Sequence, residues 1–95
     1  MSSANVTIIN ETTHKMESNW ELCFQYCKYK YESGDIQEGY RFIWRRPDGT
    51  LQPARGQARI PSLSLALKLV SKAMSEGWGF HNGEEIGYEF PEDNT

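Results

Sequence analysis

The 95-residue chain is poor in the groups that carry redox, metal and membrane chemistry. It has two cysteines and two histidines, and no apolar run approaches the ~20 residues of a membrane-spanning helix. Residues 1–5 contain no basic region that would indicate a secretion signal. We therefore expect a cytoplasmic protein with no membrane partner.

The core must be small, because only 38% of the residues are hydrophobic. Aromatic residues make up 13%, however, and disordered chains contain few of them. This length suits a single domain. Residues 20–90 are predicted to form that domain, preceded by a flexible segment over residues 1–19 and followed by an acidic tail over residues 91–95.

Cys23 and Cys27 lie in an aromatic-rich run typical of a strand. Four residues of strand span about 13 Å, whereas a disulfide needs Cα atoms within roughly 7 Å, so neither a disulfide nor joint metal binding is expected. A helix would bring the two thiols together and reverse this conclusion. His14 and His81 occur in no metal-ligand spacing. These residues predict no metal, no cofactor and no enzymatic activity.

The apolar pattern predicts an α+β fold with the order β-β-β-α-β, in which one amphipathic helix packs on the aromatic face of a small antiparallel sheet of three or four strands. Predicted strands cover residues 20–31, 40–46, 50–59 and 84–90, and residues 6–9 form at most a short edge strand. Ser62 is a suitable N-cap for the helix, and Gly77 suits the position after its last turn. The apolar side of this helix comprises Leu63, Leu65, Ala66, Leu67, Leu69, Val70, Ala73 and Met74.

All five arginines lie between residues 41 and 59, around a turn of Pro47, Asp48 and Gly49. A three-residue loop with Gly49 in the left-handed conformation would pair Arg45 with Leu51. That register separates an aromatic face from an arginine face. The aromatic face holds Tyr40, Phe42 and Trp44, and the arginine face, our candidate binding site for an anion or a partner, holds Arg41, Arg45, Arg55, Gln57 and Arg59.

Clustered arginines require an anionic neighbour, because like charges facing each other across strands destabilise a sheet. The first candidate is internal, namely Glu85 and Glu89 of the predicted last strand. The second is a nucleic acid, with the sheet in the major groove. A net charge of −3 and a pI near 5.3 favour the internal candidate. We expect a non-catalytic interaction module whose partner is a protein, with self-association included, and nucleic-acid binding as the alternative.

One local resemblance bears on that alternative. The run from Trp44 to Gly49, with Ala54 and Arg55 and the helix start at Ser62, resembles the three-strand-plus-helix arm domains at the N-termini of phage-type tyrosine integrases. Those arm domains bind DNA with their sheet, so the resemblance implies a DNA-binding sheet here. It covers about residues 40–76, and the acidic ends of this chain depart from that family.

Overall fold

A computed structural model describes residues 4–53 and 58–78 of the chain. Three strands, β1 (Ala4–Lys15), β2 (Glu21–Tyr31) and β3 (Ile36–Arg45), are followed by one helix, α1 (Leu63–Ser75). The strands form an antiparallel sheet in the order β1-β2-β3, with the longest run of buried residues on the central strand. The α+β prediction of a small antiparallel sheet with one helix is therefore confirmed.

The first strand departs most from the sequence prediction. Residues 1–19 were expected to be flexible with at most a short edge strand, but β1 is a 12-residue edge strand paired with β2 along its whole length. Its β-branched residues favour extended backbone, and Thr12 is buried on the sheet. A bulge between Ile8 and Asn10 shifts the register by one residue. The sheet therefore begins before residue 20.

The hairpin of β2 and β3 creates the aromatic face. Phe24 lies opposite Phe42, and Tyr26 lies opposite Tyr40. The Phe24 ring sits 4.6 Å from the Phe42 ring and is stacked on Tyr40 at 5.7 Å, measured between centroids. The expected grouping of Tyr40, Phe42 and Trp44 on one side of the strand is observed.

The turn after β3 also matches the prediction, but the strand after the turn does not. Gly49 has a φ of +93°, the Arg46 N–H donates to the Thr50 carbonyl at 2.7 Å, and Arg45 forms a bridge with Leu51. Beyond that bridge no strand exists in residues 52, 53 or 58–60. The predicted strand at 84–90 and tail at 91–95 lie outside the described residues.

Helix α1 has a well-formed cap at each end. The Ser62 hydroxyl accepts a hydrogen bond from the Leu65 N–H at 3.1 Å. At the other end Gly77 has a φ of +74°, and the N–H groups of Gly77 and Trp78 donate to the carbonyls of Met74 and Ala73, which is a Schellman motif. The motif turns Trp78 back onto the sheet, where it is buried beside Phe24.

The helix covers only part of the sheet. Leu69 and Ala73 are almost fully buried against Leu22, Phe24 and Tyr26 of β2. The helix contacts β1 and β2, and Phe42, Trp44 and Ile60 pack against the same core as partly buried residues. Within the described part of the chain, the helix is too short and too polar to cross a membrane.

Candidate functional site

The side of the sheet opposite α1 is the arginine face. Its polar end carries Glu11 and Thr13 from β1, Glu21, Cys23 and Gln25 from β2, and Arg41, Ile43 and Arg45 from β3. Alternation along each strand brings these side chains to one side, and the antiparallel register sets them in rows across the sheet. One such row is Glu11, Gln25 and Arg41.

Arg45 is held by two carboxylates of the same face. Its guanidinium contacts the two carboxylate oxygens of Glu11 at 2.8 and 3.3 Å, and one oxygen of Glu21 at 3.4 Å. The side chains of Arg45 and Glu11 are 23% and 27% exposed, so the pair is shielded from bulk water. A forked contact of this kind is among the stronger hydrogen-bonded ion pairs.

Gln25 lies at the centre of the face and is fully buried. Its side-chain amide nitrogen donates to Glu11 at 2.6 Å, and its oxygen accepts from the Arg41 Nε at 2.7 Å. The amide therefore links the acid of β1 to the arginine of β3. A buried amide with both ends bonded avoids the penalty of an unsatisfied polar group.

The pKa of Glu11 reflects this arrangement. Partial burial raises the pKa of its carboxyl, but the hydrogen bonds from Arg45 and Gln25 and the Arg45 charge outweigh that effect and lower it below its ordinary value. Glu11 is therefore a stable anion at neutral pH. Two arginines and two glutamates meet in this network, so their formal charges cancel.

Three of the five predicted site residues fall within the described part of the chain. Arg41 and Arg45 lie on the arginine face as expected, whereas Arg55 and Gln57 lie outside the described residues. Arg59 was also expected on that face; it lies outside the described strands, and its carbonyl accepts a hydrogen bond from the Trp44 indole N–H.

The acids that neutralise Arg45 were missed by sequence reasoning. Glu11 falls in the segment expected to be flexible, and Glu21 was not assigned a partner. Glu11 and Thr13 are two residues apart in β1, and Glu21 and Cys23 are two residues apart in β2. This period of two is the sequence signal that would have placed both carboxylates on one side of a sheet. Acidic residues at the C-terminal end were expected to supply this charge, and they lie outside the described residues.

The cysteines of the arginine face are unsuited to nucleophilic chemistry. Cys23 and Cys27 are both free and fully buried. Burial raises the pKa of the Cys23 thiol to about 12, although the nearby Arg45 charge opposes the rise. A thiol with so high a pKa is inert near neutral pH. Among residues 4–53 and 58–78, no group of three His, Cys, Asp or Glu side chains could hold a metal ion.

A cleft of about 350 Å³ lies at the end of the sheet near the turn after β3. Trp20 and Trp44 form its aromatic corner, with ring centroids 6.5 Å apart and planes at 77°. The Trp44 indole N–H donates to the Arg59 carbonyl at 2.9 Å, which fixes that ring. The described residues lining the cleft are Met16, Ser18, Trp20, Trp44, Gln52, Arg59 and Pro61.

A second surface feature runs along α1. Leu63, Leu67 and Met74 are 89%, 65% and 54% exposed, and the partly buried Val70 lies between the last two. Their spacing of four, three and four residues places them on one line of the helix, here called the helix stripe. All four were expected to face the sheet. Val70 does pack against the core, beside the buried Leu69 and Ala73, whereas Leu63, Leu67 and Met74 are exposed.

No protein-family profile, curated protein or solved structure matches this chain. The resemblance to integrase arm domains therefore stays an expectation from local sequence.

Proposed function

We propose that this chain is a small, non-catalytic interaction module whose partner is a second copy of itself, docked through the helix stripe. The observation that carries this proposal is the exposure of Leu63, Leu67 and Met74 on one line of α1. The mean hydropathy of the chain is −0.68, so three exposed large apolar side chains in a row are a notable concentration for this molecule. Contiguous apolar surface of this kind marks an interaction site.

The spacing of the stripe favours a second copy over a foreign protein. A two-fold axis across the middle of α1 would set Leu63 against Met74 of the other copy and Leu67 against Val70. An isologous dimer needs such a self-complementary surface. Four side chains amount to less than the ~800 Å² per partner of a standard interface, so the dimer should be weak and concentration-dependent.

The test is sedimentation equilibrium at rising concentration, up to about 1 mM, where even weak association is measurable. We expect the apparent mass to approach that of a dimer, and Leu67→Gln to restore the monomer. Ser71→Gln is the matched control, because it places the same residue on the solvated side of the same helix. A wild-type chain that stays monomeric at 1 mM, or a Ser71→Gln variant as defective as Leu67→Gln, contradicts the proposal.

Nucleic-acid binding, the alternative from the sequence, loses support from the arginine face. Arg45 is paired with Glu11 and Glu21, and Arg41 is bound to Gln25. A phosphate would have to displace these contacts before it could use either guanidinium. The internal acids also remove the need for the C-terminal glutamates to neutralise Arg45.

A further inference from the structure

The cleft at the end of the sheet is a separate site with its own chemistry. Its described lining combines two indole rings, the apolar side chains of Met16 and Pro61, and one cation, Arg59. No carboxylate occurs among the described lining residues. The cleft volume of about 350 Å³ lies within the usual range for ligand sites.

The two tryptophans differ in the hydrogen bonding of their indole N–H groups. The Trp44 N–H is bonded to the Arg59 carbonyl, whereas the Trp20 N–H forms no hydrogen bond with any described residue. Trp20 is partly exposed, so its N–H is a donor still open to a ligand. The cleft thus offers a fixed apolar wall, a free donor and a positive charge.

We propose that this cleft binds a peptide segment in polyproline II conformation that carries an acidic residue beside its prolines. Proline-rich segments dock in aromatic-lined grooves, and their solvated backbone carbonyls accept hydrogen bonds from donors such as an indole N–H. The nearly perpendicular indoles form a corner for a proline ring, and Arg59 pairs with the acid. The proposal does not depend on the dimer, because the cleft and the helix stripe share no residue.

A peptide suits this geometry better than a nucleobase. A run of stacked bases needs successive ring faces along a groove, whereas this cleft offers a single corner of two indoles whose planes meet at 77°. A single described arginine in the cleft also falls short of the basic groove that tracks a nucleic-acid backbone. These two observations commit the site to a peptide ligand.

The experiment follows the indole N–H resonances of the ¹⁵N-labelled full chain during titration with the peptide Ala-Pro-Pro-Asp-Pro-Pro-Ala to about 1 mM, which detects weak affinities. We expect the Trp20 indole peak to move most and the Trp78 peak to stay, because Trp78 is buried and bonded to Glu76. Replacing the prolines of the peptide by alanine should abolish the shift. Replacing its aspartate by lysine should weaken binding about twofold to fivefold, the range of an exposed ion pair.

Two variants complete the test. Arg59→Gln should weaken the affinity for the acidic peptide about twofold to fivefold, so that the acidic peptide no longer binds more tightly than the lysine peptide. Arg46→Gln is the control, because Arg46 contacts Thr50 and Leu51 and is not among the described lining residues. Any of three results would overturn the proposal. The Trp20 indole peak does not move at about 1 mM peptide, it moves equally with the alanine peptide, or it moves further with a short oligothymidylate. The dimer test is read by mass alone, so failure of one leaves the other standing.

Discussion

Gln25 is the residue whose replacement most directly tests the network on the arginine face. Gln25→Met keeps the length of a buried side chain but removes its hydrogen bonds to Glu11 and Arg41. Hydrogen bonds to charged groups contribute about 1.5–3 kcal/mol each. Burial of the more apolar methionine side chain offsets about 1 kcal/mol of this loss in stability, and Glu11 and Arg41 can regain some hydrogen bonds to water. We expect a net loss of about 2–3 kcal/mol in the free energy of unfolding.

Thermal unfolding followed by circular dichroism measures this loss. A change of 1 kcal/mol shifts the melting temperature of a domain this size by about 4–8 °C, so Gln25→Met should lower it by roughly 10–20 °C. Gln37→Met is the matched control, because Gln37 is exposed and its contact to the Tyr31 hydroxyl is long, at 3.4 Å. If both variants lower the melting temperature by the same small amount, the buried amide of Gln25 does not stabilise the arginine face, and the reasoning is contradicted.

Two further predictions concern titration and thiol reactivity. The pKa of Glu11 is lowered on folding, so its contribution to stability is present at neutral pH and is lost as the pH falls below the ordinary value of 4.5. Glu11→Gln should therefore flatten the acid side of a stability–pH curve measured by urea unfolding, and an unchanged slope between pH 5 and about pH 3 would contradict this. Cys23 should resist alkylation by iodoacetamide at pH 8 in the native state and react once urea unfolds the chain, because its pKa is raised to about 12 and its side chain is fully buried. Labelling of Cys23 in the folded protein at the rate of the unfolded chain would show that the site is open.

Local signals predicted several parts of the fold correctly. Ser62, Gly77 and Gly49 each have a backbone role that depends on near neighbours, so the caps and the turn were readable from a few residues. Period-two alternation likewise placed Tyr40, Phe42 and Trp44 on one side. The α+β class followed from these elements.

The pairing of segments that are distant in sequence could not be predicted in the same way. Residues 50–59 were predicted as a strand and residues 4–15 were not, but of the described residues in these two segments only 4–15 form a strand. The turn at Gly49 predicted a strand beyond Leu51, but in the described residues the pairing ends at the Arg45–Leu51 bridge. The long β1 ladder depends on contacts with β2 that no short window of sequence contains.

The error about β1 also explains why the charge analysis missed the acids that face Arg45. A cluster of arginines indicates an anionic partner only when the facing acids are known, and the acids that face Arg45 come from β1 and from the start of β2. Those carboxylates supply Arg45 with counter-ions within the sheet. Among the described residues, two surfaces that remain uncovered are apolar or aromatic. One is the helix stripe, where Leu63, Leu67 and Met74 are exposed, and the other is the corner of Trp20 and Trp44. For this molecule, binding is therefore better sought where packing is incomplete than where positive charge is concentrated in the sequence.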